Sequence, residues 1–127
     1  ISISADKALA YSNLASAYGK KGMYRESIEA SLTALKNNPY QDDARYNLAL
    51  SYANAGFTDK AIEAYEEYLK VQPDFPGVHV DVGYLYYKKG SFEKAKQHWL
   101  KALRLSPNLP EAKDALKLLK GVEIPAR

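Results

Sequence analysis

Cysteine is absent from the 127-residue chain. That excludes disulfides, cysteine-based zinc sites and thiol catalysis together, without fixing a compartment. Only two histidines are present. No apolar run approaches the roughly 18 residues that a transmembrane helix needs. Residues 1–10 lack the basic start and apolar centre of a signal peptide. The missing initiator methionine suggests a processed chain or an excised piece. Charge of one sign is also scarce: 18 basic against 15 acidic side chains leave +3. So small an excess does not announce a nucleic-acid binder or a polybasic membrane anchor. What is present is folding material, with 46% hydrophobic residues and 11 tyrosines. That composition belongs to a folded globular protein of single-domain size.

A repeat governs the chain. Pro39, Pro73 and Pro107 stand 34 residues apart, and Gly22, Gly56 and Gly90 keep that spacing. Further columns join Tyr18, Tyr52 and Tyr86, and Leu35, Leu69 and Leu103. Leu14, Leu48 and Val82 form another, beside Ala15, Ala49 and Gly83. Ser27, Ala61 and Ala95 make a small-residue column. A fixed period of this length is the mark of a repeat architecture.

Each unit reads as two helices. Tyr11, Leu14, Ala15 and Tyr18 fall at i, i+3, i+4 and i+7, one helical stripe. Gly22 suits a left-handed helix end, and the lysines before it suit the negative pole of the dipole. A second helix is predicted from about Tyr24 to Lys36, with Ile28, Ser31, Leu32 and Leu35 on one face. Asn37-Asn38-Pro39 stops it. Unit two repeats the plan, with Thr58 as the expected N-cap of its second helix. Unit three has Val82, Gly83 and Tyr86, then Ala95, Trp99, Ala102 and Leu103. A last helix, about Pro110 to Lys120, carries Ala112, Ala115, Leu116 and Leu119 on one face, as a cap requires.

These columns resemble the tetratricopeptide repeat (TPR) family. The resemblance divides the chain into repeats at 8–41, 42–75 and 76–109, a capping helix at 110–121, an N-terminal extension or linker at 1–7 and a tail at 122–127. Departures are Arg45 and His79 in the leading aromatic column, and Ser31 where Tyr65 and Trp99 stand. Tyr68 replaces a small residue, and Gly83 is expected to give it room. The resemblance implies an all-α, right-handed superhelical solenoid of antiparallel helix pairs. It also implies a concave groove, lined by the first helices, that holds segments of other proteins.

The first helices carry a second stripe. In unit one it holds Leu9, Ser12, Asn13, Ser16 and Lys20; in unit two Asp43, Tyr46, Asn47, Leu50 and Asn54; in unit three Gly77, Val80, Asp81, Tyr84 and Lys88. Asn13, Asn47 and Asp81 share one column, and an amide ladder can pair with a peptide backbone of any sequence. Local bonding of these amides is the competing reading. Tyr46, Leu50 and Tyr84 would add apolar contact, unless Tyr46 and Tyr84 pack laterally against neighbouring first helices. Lys20, Asn54 and Lys88 would form a polar margin. One family subgroup grips acidic chaperone tails with a clamp of Lys, Asn, Asn, Lys and Arg. The matching positions are Ser12, Ser16, Asn47, Gly77 and Asp81, so the clamp is expected to be missing.

Catalytic constellations are not evident. Asp42-Asp43 and Glu66-Glu67 are sequence neighbours, pointing about 100° apart on a helix. Gly19-Lys20-Lys21-Gly22 lacks the spacing of a phosphate loop. His79 and His98 are 19 positions apart and suggest structural roles rather than a metal site. The expectation is therefore no enzyme, no cofactor and no metal, and a protein or peptide partner in a cytoplasmic setting. Self-assembly is the alternative. Nucleic-acid binding along Lys20, Lys21, Arg25, Lys88, Lys89, Lys94 and Lys96 ranks below it, because acids are interleaved throughout. No membrane association is expected.

Overall fold

The computed structural model describes residues 3–122. The described residues form seven α-helices and no strand. In order they are α1 (Ile3–Lys20), α2 (Tyr24–Asn37), α3 (Asp42–Asn54), α4 (Thr58–Val71), α5 (Pro76–Lys88), α6 (Phe92–Leu105) and α7 (Pro110–Lys117). The fold class is an all-α helical-repeat solenoid. The chain divides into two compact units, Ile1–Tyr68 and Leu69–Arg127.

The 34-residue period is written into the backbone. Gly22, Gly56 and Gly90 take φ of 77°, 89° and 84°. A side chain there would meet its own carbonyl, so glycine is the residue that fits. Each such glycine lets the next residue bond back across the helix end. The N–H groups of Met23, Phe57 and Ser91 donate to the carbonyls of Tyr18, Tyr52 and Tyr86, each at 2.9 Å. This six-to-one bond closes the first helix. The carbonyls of Met23, Phe57 and Ser91 then accept the first bonds of α2, α4 and α6. One residue thus ends one helix and starts the next, which fixes the tight antiparallel pairing. Thr58, expected as an N-cap, is instead the first residue of α4, because Phe57 supplies the carbonyl at that position.

In the first unit, α1 and α2 meet through small residues. Ala8, Ser12 and Ala15 face Ser27, Ala30, Ser31 and Ala34, all buried. Short side chains allow close approach of the axes. The Ser27 hydroxyl donates to the Ala15 carbonyl at 2.8 Å and lies 2.6 Å from the Ser51 hydroxyl on α3. The stripe expected for α1 is therefore corrected: Tyr11 and Leu14 are exposed, Tyr18 is half-buried and only Ala15 is interior. Leu32 on α2 is likewise exposed. Helix α1 begins at Ile3, so Ile3–Lys7 continue it rather than forming a link. In α4, Ala61, Ile62, Ala64, Tyr65 and Tyr68 are buried. The Tyr46 ring sits against Tyr65 and Tyr68, with centroids 6.2 and 5.8 Å away.

In the second unit Trp99 is the centre. It is fully buried, its indole N–H donates to the Val80 carbonyl at 3.1 Å, and Tyr84 meets it edge-on at 5.2 Å. Gly83 makes this possible. A Cβ there would lie 2.2 Å from Trp99 Nε1 and 2.5 Å from its Cδ1. Gly83 is expected from the sequence to give Tyr68 room; the atoms that a Cβ there would meet first belong to the Trp99 indole. Helix α7 buries Ala112 and Ala115 and packs on α5 and α6. It ends at Lys117, three residues short of the expected bound, and single turns carry the chain to Gly121. The expected tail at 122–127 lies, after Val122, outside the described residues.

Candidate functional site

A cavity of about 230 Å³ opens among α1, α2 and α3 in the first unit. Its floor is small: Ala15, Gly19, Ser27 and Ser51. Tyr46 and Leu50 form an apolar wall, and Ser16, Lys20, Asn47 and Asn54 supply the polar lining. The period explains the gathering. Ser16 and Lys20 are four apart on α1, and Asn47, Leu50 and Asn54 fall at i, i+3 and i+7 on α3. The pair on α1 and the trio on α3 each lie on one stripe of their helix. Leu50, Lys20 and Asn54 are exposed, while Tyr46, Asn47 and Ser16 are half-buried.

The chemistry of the lining is mostly neutral. Lys20 is the single charged residue in it. The Asn47 side chain donates to the Ser12 carbonyl at 3.1 Å, bridging α3 to α1. That bond uses one amide hydrogen and leaves a second donor and the amide oxygen for a ligand. This asparagine thus bonds locally, and its side chain also lines the cavity. Asn13, its column-mate, is exposed on α1 and does not line the cavity.

On the second unit Asp81, Tyr84 and Lys88 form one stripe of α5. Tyr84 and Lys88 are exposed, and Asp81 is half-buried. Burial pushes the Asp81 carboxyl up to about 6, because desolvation penalises its charged form. Val80, grouped with this stripe in the sequence, is buried. The tyrosine rings pack on the second helix of their own pair, Tyr46 on Tyr65 and Tyr68 and Tyr84 on Trp99, a different contact from the lateral packing on neighbouring first helices weighed from the sequence. Of the five clamp positions, Ser12 is buried and cannot meet a ligand, whereas Ser16 and Asn47 line the cavity.

Two features escaped the sequence. A second cavity of about 410 Å³ lies on the other side of α3, floored by Leu32, Leu35, Leu48 and Tyr52. Its margin carries Arg45, Lys60, Glu63 and Glu67. The other feature is a histidine pair. His79 and His98 meet at 3.0 Å between their Nδ1 atoms, and His79 Nε2 lies 2.8 Å from the Pro73 carbonyl. The carbonyl only accepts, so His79 Nε2 carries a hydrogen, and in a neutral pair His98 Nδ1 donates to His79 Nδ1. Tyr86 stacks on His98 at 5.6 Å, and Lys94 lies over Tyr86. No group of three histidine, cysteine or carboxylate side chains that could hold a metal occurs among the described residues. None of their helices is long and apolar enough to cross a membrane.

A family model described as tetratricopeptide repeat matches residues 12–77 and 46–110. No curated protein matches the chain in sequence. Solved structures are similar in fold. A structure titled as the first TPR of Spaghetti (RPAP3) bound to the HSP90 peptide SRMEEVD superposes with a TM-score of 0.86 at 22% identity, over 92% of this chain and 93% of that one. The Arabidopsis OM64 TPR domain gives 0.87 at 16% identity, over 93% and 98%. MamA gives 0.85 at 18% identity, over 90% of this chain and 67% of that one.

Proposed function

Because the chain belongs to the tetratricopeptide repeat family, whose fold is typical of protein–protein interaction scaffolds, we propose that it is an adaptor holding a segment of a partner protein. The observation that carries this reading is the convergence of Ser16, Lys20, Tyr46, Asn47, Leu50 and Asn54 on one cavity of the first unit. The repeat pattern puts these residues on the second stripe of the first helices, and the resemblance implies that this stripe lines the groove. The amides of Asn47 and Asn54 pair with a peptide backbone, and Tyr46 and Leu50 receive an apolar side chain. Asn13 contributes from the exposed face of α1. Asp81, Tyr84 and Lys88 provide a second contact stripe on the second unit. TPR scaffolds are generally non-catalytic, and this reading assigns the chain no reaction.

The ligand differs in charge from the acidic peptide named with the Spaghetti domain. Serine, glycine and aspartate occupy four of the five positions where that subgroup carries its clamp, and Asp81 would repel a carboxylate when ionised. The test has two arms. The peptide SRMEEVD, titrated by fluorescence anisotropy, should show no saturation below about 100 μM; low-micromolar affinity would refute the missing clamp. Affinity capture from a lysate with the wild-type chain and with Leu50→Ser/Asn54→Ala should lose the partner in the folded variant. Two such contacts are worth about 1–3 kcal/mol together. Undiminished capture by the variant would put the site elsewhere.

A further inference from the structure

The floor of the cavity in the first unit carries a polarity that the repeat does not require. Ser27 stands in a column whose other members are Ala61 and Ala95, and Ser51 in one with Ala17 and Leu85. Both serines are nearly closed to solvent, at 1% and 3% exposure. A buried hydroxyl is costly unless it is bonded, and its bonds here fix where its proton lies. The Ser27 hydroxyl donates to the Ala15 carbonyl at 2.8 Å, and a carbonyl has no hydrogen to return. Ser27 Oγ therefore accepts from the Ser51 hydroxyl, 2.6 Å away. Ser51 has then used its one hydrogen and keeps its lone pairs. The two hydroxyls thus offer a ligand acceptors and no donor.

The rest of the lining sets the size and charge of what fits. Tyr46 and Leu50 form an apolar wall, Ala15 and Gly19 take up little room, and the volume is about 230 Å³. A cavity of roughly 150 Å³ admits a benzene ring, so there is space here for a ring with a substituent. Lys20 is the one charged side chain among the described lining residues. A lysine or arginine brought into the cavity would be desolvated beside a like charge with no carboxylate to pair it. Serine or threonine would supply a donor but leave the apolar wall unfilled. Phenylalanine would fill the wall and leave the Ser51 lone pairs dry and unbonded. Building on the adaptor reading above, we propose that this cavity is a pocket for a tyrosine side chain of the bound segment. The ring lies against Tyr46 and Leu50, and the phenol O–H donates to Ser51 Oγ.

The probes are p-cresol and toluene, the side chains of tyrosine and phenylalanine as free molecules. Titrated into the isotope-labelled chain and followed by NMR, p-cresol should shift the amide signals of Ser16, Leu50 and Ser51 to saturation. Ser51→Ala should weaken p-cresol about fivefold, the worth of one hydrogen bond, while leaving toluene unchanged or tighter. A serine with a purely structural role would move both probes alike. Gly19→Ala fills the pocket by another route. A Cβ at Gly19 would lie 3.7 Å from Ser27 Oγ, an ordinary contact, and alanine favours the helix. This variant should weaken p-cresol about fivefold or more with no fall in melting temperature. Absence of p-cresol shifts at the cavity, equal losses of both probes in Ser51→Ala, or tighter binding of skatole, the tryptophan side chain, would overturn the proposal. The adaptor reading is judged separately, by capture with Leu50→Ser/Asn54→Ala. A partner lost in that variant, with p-cresol and toluene affected alike by Ser51→Ala, would remove the tyrosine pocket and leave the adaptor standing.

Discussion

Replacing Gly83 by alanine adds one carbon and tests how the second unit is packed. The new Cβ would sit 2.2–2.8 Å from three atoms of the Trp99 indole. Contacts that short do not persist, so either α5 or Trp99 must move. Trp99 is fully buried and tied to the Val80 carbonyl, so its displacement breaks a hydrogen bond and an aromatic contact. Overpacking of this kind costs about 1–3 kcal/mol, and the lost bond about 1 kcal/mol more. Alanine returns about 1 kcal/mol of helix propensity. The net loss is about 1–3 kcal/mol, a fall of about 3–15 °C in melting temperature for a chain of this length. Trp99 is the only tryptophan, so its emission reports the same event and should move to the red. In a Trp99→Leu background the alanine should become neutral or stabilising, which a double-mutant cycle measures. A rise in melting temperature with unchanged emission, the result of propensity alone, would refute the packing argument.

Three further outcomes are expected. Ser31 is fully buried with its hydroxyl unpaired, so Ser31→Ala should stabilise by about 0.5–1 kcal/mol; a lowered urea midpoint would show that the hydroxyl has a partner in solution. Asp81 has its folded value raised to about 6 from 3.8, so the folded state binds the proton more tightly than the unfolded state, and stability falls as pH rises between about 4 and 6. Asp81→Asn should flatten that slope and stabilise at pH 7 by about 1 kcal/mol after allowance for solvent screening; thermal melts across this range decide it. Asn47→Ala removes the α3–α1 bridge and should cost about 1 kcal/mol in a denaturation midpoint, a stability loss that Leu50→Ser, with its exposed side chain, should not share.

The period made most of the fold legible. Helix α2 starts at Tyr24 as its spacing predicts, and the three helix-ending glycines all take positive φ. Those features are local: a glycine, a proline and a stripe carry their own physical cause. Packing partners were harder to read, since they depend on which small residue faces which large one. Gly83 makes room for Trp99 on the next helix of its own pair, which the column pattern does not reveal. Tyr11 and Leu14 fit an interior stripe by spacing, yet spacing cannot tell whether a neighbour exists to cover them. The histidine pair was missed for a similar reason. Its members are 19 residues apart, a separation that only the antiparallel turn through Gly90 brings to 3.0 Å.

The candidate site follows from the same distinction. Columns that repeat without change, such as the helix-ending glycines, do one structural task three times. Columns that change identity do different tasks in the same backbone setting. Asn47 and Asp81 occupy one such column, where an amide bridges two helices and a half-buried carboxyl is held close to neutrality. Ser31, Tyr65 and Trp99 occupy another, and the smallest of them belongs to the unit whose helices meet through alanine and serine. The first compact unit also holds the cavity floored by Ser27 and Ser51, whose hydroxyls stand where the third repeat has Ala95 and Leu85. Small floor residues are therefore what leave space there. Filling it from below, by Ser51→Leu, should close the cavity to a ligand while leaving the Asn47 bridge in place. Retention of full partner affinity in that variant would separate the cavity from the function.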